Sequence, residues 1–181
     1  AAFSISVADS GSALSGVASA IFGHGFPSIT VTGGVFAGTA AQLSDPTLHF
    51  SGGATARLGT NATLSVQQAV TLGGLPSFGV GNGVSLTVSD TVAHLVATGG
   101  TLPAGVTDIA VSNGGQVSVA QIATLASLRG GVGAQHFSLG SNVLSLVDTA
   151  AALTSAAAAP AVGLAGGIAL NANATVTAEQ A

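Results

Sequence analysis

A recurring unit constrains this chain more than any other feature of its sequence. Each copy has an alternating apolar stretch, a small polar residue, and a short Ala-rich segment that closes on Leu. One flavour carries Asp. It reads Ile5-Ser6-Val7-Ala8-Asp9-Ser10 to Leu14, Leu86-Thr87-Val88-Ser89-Asp90-Thr91 to Leu95, and Leu144-Ser145-Leu146-Val147-Asp148-Thr149 to Leu153. A second flavour carries Gln: Leu64-Ser65-Val66-Gln67-Gln68-Ala69 to Leu72, and Val117-Ser118-Val119-Ala120-Gln121-Ile122 to Leu125. A weaker copy covers 35–43. The closing leucines are Leu14, Leu43, Leu72, Leu95, Leu125 and Leu153, spaced by 29, 29, 23, 30 and 28 residues. Self-similarity at such a period marks a repeat architecture.

A second half-motif follows each first one. Pro27, Pro46, Pro76 and Pro160 each open the pattern Pro, small, apolar, any, apolar. Pro103 stands just ahead of 106–111, and His136-Phe137-Ser138-Leu139 takes the same place without a proline. Proline stops a helical segment and forces extended backbone before it. Gly- or Asn-bearing turns come next, at Gly33-Gly34, Gly81-Asn82-Gly83, Asn113-Gly114-Gly115 and Gly140-Ser141-Asn142. Each unit therefore reads strand, one or two helical turns, proline loop, strand, glycine turn. Ala/Leu segments this short are not stable alone, so burial against neighbouring units must hold them. The expected fold is mainly β with short helical turns: a β-solenoid or leucine-rich-repeat-like stack of about six coils of ~28 residues. One domain spans 1–181, with coils at approximately 1–32, 33–60, 61–83, 84–112, 113–140 and 141–170 and a half-coil at 171–181.

Composition narrows the function. Only 4% of the 181 residues are charged, against roughly 25% in ordinary soluble proteins. The charged residues are Arg57, Arg129, Asp9, Asp45, Asp90, Asp108, Asp148 and Glu179. Two arginines do not make the basic face that a nucleic-acid partner requires. Without Cys, neither a disulfide scaffold nor a thiolate metal site can form. Catalysis needs clustered acids, bases or cations, and none cluster here, so the chain reads as a non-enzyme without cofactors. Disordered chains are polar and charged, whereas this one is 48% hydrophobic. The charge-free run 149–178 is Ala-rich and holds Pro160, which argues against membrane insertion. The chain begins without Met, as a processed or excised piece would.

Several polar residues invite a site. Asp9, Asp90 and Asp148 share one repeat position between a strand and an Ala-rich turn, where Asp serves as a helix N-cap. Calcium needs several oxygens converging on one point, and these three belong to different units. Asn61, Asn82, Asn113, Asn142 and Asn171 fall in turns ahead of strands, where Asn hydrogen-bonds between coils or adopts left-handed geometry. Asn61-Ala62-Thr63 and Asn173-Ala174-Thr175 are glycosylation sequons. His49 and His136 both precede Phe, but three coils separate them, which disfavours a metal pair. Thr30 with Thr32, and Thr175 with Thr177, form isolated Thr-x-Thr pairs rather than a regular binding row.

The ends suggest assembly. Residues 174–181 read as the start of another Gln-type unit, and the chain opens on an Asp-type strand. Neither end shows a charged or proline-rich block to further stacking. A head-to-tail contact of that kind builds open filaments when its rotation does not close. The expected interface sets Phe3, Ile5 and Val7 of one copy against Thr175, Val176 and Thr177 of another.

The Val-Ser-Asp-Thr…Leu and Val-Ala-Gln…Leu alternation resembles the repeats of long, secreted, adhesin-like surface proteins of Gram-negative bacteria. The resemblance implies an extracellular structural or adhesive role with no catalytic residues to carry over. Two functions are consistent with it. The first is a self-assembling structural subunit of a surface fibre or matrix. The second is an adhesin segment that binds glycan or another surface through a lateral face.

Overall fold

The computed structural model describes residues 5–131, 136–159 and 163–173. Phe3, Thr175, Val176 and Thr177 lie outside the described residues, as does the Pro160 segment.

Local hydrogen bonding decides where each helix starts. The first N–H groups of a helix have no partner inside it and need an external acceptor. Helices α1 (Gly11–Ile21), α4 (Val92–Ala97) and α6 (Ala150–Leu153) belong to the Asp-type units. Their N-caps are Ser10, Thr91 and Thr149, each accepting from the N–H three residues on. Helices α2 (Ala40–Leu43), α3 (Val66–Gly73) and α5 (Val119–Gly131) belong to the Gln-type units. There a hydroxyl residue and a Gln three positions later bond reciprocally. Thr39 pairs with Gln42, Ser65 with Gln68, and Ser118 with Gln121. This is the capping box.

The two flavours are therefore two solutions to one problem, the backbone N–H of the cap residue itself. In Gln-type units the Gln side chain reaches back to it, as from Gln68 Oε1 to the Ser65 N–H at 2.9 Å. In Asp-type units the preceding Asp accepts it. Asp9, Asp90 and Asp148 take the N–H of Ser10, Thr91 and Thr149 at 2.6, 2.8 and 2.8 Å. The expected cap role thus moves by one residue: the hydroxyl side chain caps, and the Asp braces it.

The chain divides into two compact units, the first comprising Ala1–Thr87 with Pro103–Val106 and the second Val88–Leu102 with Thr107–Ala181. In the first, β1 (Val7–Asp9), β2 (Ile29–Val31) and β4 (Leu48–Phe50) form a parallel sheet in the order β1-β2-β4. A second sheet takes the order β3 (Val35–Gly38), β5 (Thr55–Leu58), β7 (Gly79–Val80). Strand β6 (Ala62–Leu64) lies beside the start of β8 (Leu86–Asp90), and the Ala62 N–H donates to the Ser85 carbonyl. In the second unit, β8 continues beside β9 (Asp108–Val111), and β11 (His136–Ser138) beside β9. The last sheet has the order β10 (Gly115–Val117), β12 (Leu144–Asp148), β13 (Gly167–Leu170).

Parallel neighbours need a crossover, usually a helix, and the two flavours use theirs differently. In each Asp-type unit, the strands before and after the helix pair with each other: β1 with β2, β8 with β9, β12 with β13. In each Gln-type unit they belong to different sheets: β3 and β4, β6 and β7, β10 and β11. Asp-type units close a sheet onto itself, and Gln-type units carry the chain from one sheet to the next.

Core residues follow the repeat. Leu14, Leu43, Leu72, Leu95 and Leu125 are buried, one per helix, while Leu153 is half-buried. In the first unit Phe36 is fully buried between Phe22 and Phe50, with ring centroids 5.8 and 6.4 Å away. In the second, Ile122, Leu125 and Leu128 line one face of α5 and are buried. Such burial contributes about 1.5–3 kcal/mol per large side chain.

The expectation of a mainly β solenoid of about six coils is corrected by this architecture. The chain is mixed α/β, 30% helical and 28% strand, with four small parallel sheets and six α-helices among the described residues. Helix is favoured because the Ala-rich segments hold good helix formers and begin at satisfied caps. Apolar residues at helical spacing, such as Leu14 with Ala18 and Ile122 with Leu125 and Leu128, let α1 and α5 run to 11 and 13 residues. The strands hold only two to five residues. Two strands also fall elsewhere than expected. Strand β5 pairs between β3 and β7, and the last strand runs over Gly167–Leu170.

Candidate assembly surface

Among the described residues eight strands end a sheet, and two of them, β1 and β13, are the first and last described strands. Strand β1 ends its sheet. Its inner edge is tied to β2, with the Val7 N–H donating to the Ser28 carbonyl at 3.0 Å and the Thr32 N–H to the Asp9 carbonyl at 2.9 Å. No described strand pairs with its outer edge. Ile5, just ahead of it, is 67% exposed, Val7 is half-buried, and Asp9 is exposed.

Strand β13 ends the other sheet and is exposed along its whole length. Ile168 and Leu170 are 54% and 45% exposed, and Val143, just before β12, is 57% exposed. Soluble proteins guard such edges with charge, proline or a bulge, yet Gly167-Ile168-Ala169-Leu170 holds neither a charge nor a proline. Sequence reasoning missed these exposed residues. The signal was present in the Gly-Gly pair followed by Ile-x-Leu alternation.

Of the expected interface residues, Ile5 and Val7 lie on or beside the β1 edge. Their proposed counterparts Thr175, Val176 and Thr177, and Phe3, are outside the described residues.

Asn side chains tie neighbouring sequence units together. Asn61 Oδ1 accepts the Ser85 N–H at 2.9 Å, and Asn113 Oδ1 accepts the Val92 N–H at 3.3 Å. Asn142 Nδ2 donates to the Val111 carbonyl at 2.8 Å.

Little of the remaining polar chemistry converges. Asp90 Oδ1 meets His94 Nδ1 at 2.7 Å, on a buried carboxyl and an exposed ring. His49 on β4 is exposed, and His136 falls on β11 of a different sheet. No group of three or more His, Cys, Asp or Glu suited to a metal ion occurs among the described residues. A half-open cleft of about 290 Å³ is lined by Ile21, Phe26, Ile29, Asp45, Thr47 and two glycines. Its carboxylate is engaged, since Asp45 Oδ1 accepts both the N–H and the hydroxyl of Thr47, at 2.8 and 2.6 Å.

No family model, curated protein or solved structure matches this chain. Among the described residues no helix is long and apolar enough to cross a membrane.

Proposed function

We propose that this chain is an extracellular structural protein, a subunit that assembles head to tail into the filaments of a surface fibre or matrix. The observation that carries the reading is the exposed, uncharged β13 at the end of its sheet, with β1 ending another sheet among the described residues. A free edge presents a row of unpaired N–H and C=O groups that templates a strand from another chain. Contacts between different patches on two copies propagate rather than close. The formal net charge of −4 opposes association only weakly.

A structural rather than catalytic role is supported by the scatter of the ionisable groups. The extracellular placement rests on the likeness of the Asp- and Gln-type repeats to those of secreted surface proteins. Sedimentation velocity over a concentration series tests the reading. Species growing well beyond 17.0 kDa with concentration are expected. Ile5→Lys and Ile168→Lys, both at exposed positions, should suppress that growth without unfolding the chain. A single monomer boundary throughout would refute it.

A further inference from the structure

The cleft of the first unit joins apolar walls to one fixed carboxylate. Ile21 ends α1, Ile29 opens β2, and Phe26 stands half-buried in the loop between them. Gly23 and Gly25 turn that loop with φ of 84° and 73°, left-handed values that glycine takes without strain. A Cβ at either glycine would meet nothing within 4 Å, so the cleft is open on that side.

Asp45 is held from three directions in the turn between α2 and β4. Its N–H donates to the Gln42 carbonyl at 3.2 Å, and its own carbonyl accepts the Leu48 N–H at 3.0 Å. Its Oδ1 accepts both bonds from Thr47. The Thr47 carbonyl in turn accepts the Ile29 N–H at 2.8 Å, which ties the turn to β2. Asp45 Oδ2 takes no hydrogen bond among the described residues, and the N–H groups of Gly25 and Phe26 make none there either.

These features select a ligand class. Asp45 is the one charged residue in the lining, so an anion would find no cation to pair with. An organic cation would gain one carboxylate but face the spare N–H donors of the loop. A hydroxyl both donates and accepts, and it suits a carboxylate oxygen beside free N–H groups. The C–H face of a sugar ring suits the apolar walls and the electron-rich face of Phe26. A volume of about 290 Å³ lies at the low end of small-molecule sites, enough for one ring.

We propose that this cleft binds one neutral pyranose sugar. Asp45 Oδ2 accepts its hydroxyl protons, the loop N–H groups donate to its oxygens, and Phe26 packs on its C–H face. A ligand of this size in a half-open cleft binds with a Kd on the order of 1 mM or weaker. The site lies within one compact unit and does not depend on filament assembly.

Saturation-transfer difference NMR reads the sugar's own protons and works on monomers and large assemblies alike. The probes are the methyl glycosides of glucose, galactose, mannose and N-acetylglucosamine, each offered singly at millimolar concentration to the full chain. Transfer to the ring protons of at least one is expected. Asp45→Asn and Phe26→Ala should each reduce it at least about 5-fold. Far-UV circular dichroism checks that both variants fold. Phe26→Ala leaves the Asp45 turn untouched and carries the test if Asp45→Asn does not fold. No transfer to any of the four sugars, or an undiminished signal in either folded variant, would overturn the proposal. So would stronger transfer to choline, a cationic probe, than to every sugar.

Discussion

Asp148 and Val119 stand 29 residues apart in sequence, and a single hydrogen bond of 3.0 Å joins the carboxylate of one to the backbone of the other. The same carboxylate braces Thr149 through its other oxygen at 2.8 Å. One side chain therefore satisfies the starts of two helices, its own α6 and the preceding α5. Helix starts carry partial positive charge, which makes an anion there favourable.

Replacing Asp148 with Ala should remove both bonds and lower stability by about 1–2 kcal/mol. Asp148→Asn keeps one acceptor oxygen and should lose less. Urea unfolding followed by circular dichroism checks both. In dilute solution Asp9→Ala should cost less than Asp148→Ala, because one described bond depends on that side chain rather than two.

Two glycines of α1 should respond to alanine with opposite signs. A Cβ on Gly11 would meet the backbone carbonyl of Val35 and the Phe36 nitrogen, while the Gly11 N–H donates to the Gly33 carbonyl at 2.7 Å. Backbone cannot yield as a side-chain tip does, so Gly11→Ala should cost about 1–3 kcal/mol or more. Gly16 is exposed, and a Cβ there meets nothing within 4 Å. Gly16→Ala should stabilise by about 0.5–1 kcal/mol through helix propensity. Thermal unfolding of the two variants reads the sign directly.

The closing leucines should rank by burial. Leu125 is fully buried on α5, so Leu125→Ala should cost about 2–5 kcal/mol. Leu153 is only half-buried, and Leu153→Ala should cost clearly less. Equal losses would mean that the sixth unit is as tightly packed as the fifth.

The repeat was legible because its chemistry is local. The six leucines mark six helices, and Pro27, Pro46 and Pro76 each precede a strand. The Asp and Gln flavours correspond to two ways of starting a helix. What the sequence concealed depends on longer range. Whether Ala-rich segments make one turn or three is decided by apolar residues further on, such as Leu128, and by the surfaces they meet. Strand β5 lacks the Leu-closed segment that identifies the other units, so nothing in the repeat marks Thr55-Ala56-Arg57-Leu58 as a strand. Its pairing to β3, with Ala37 opposite Arg57, depends on a neighbour 20 residues away. The cap position was missed by one residue because Asp and the following Ser or Thr are both good caps. Only the observed geometry shows the hydroxyl capping and the carboxylate bracing.

That distinction bears on the assembly surface. The strand pattern at Ile5 and Val7 could be read from alternation, whereas the two-helix role of Asp148 emerges only from the geometry. The exposure of Ile168 and Leu170 likewise follows from the place of β13 at the end of its sheet.

Negative-stain electron microscopy of the purified 181-residue chain, over a rising concentration series, tests the central claim most directly. Filaments that lengthen with concentration, and that vanish when Val176 is changed to Asp, are the expected result. Discrete particles of monomer size at every concentration would contradict head-to-tail assembly.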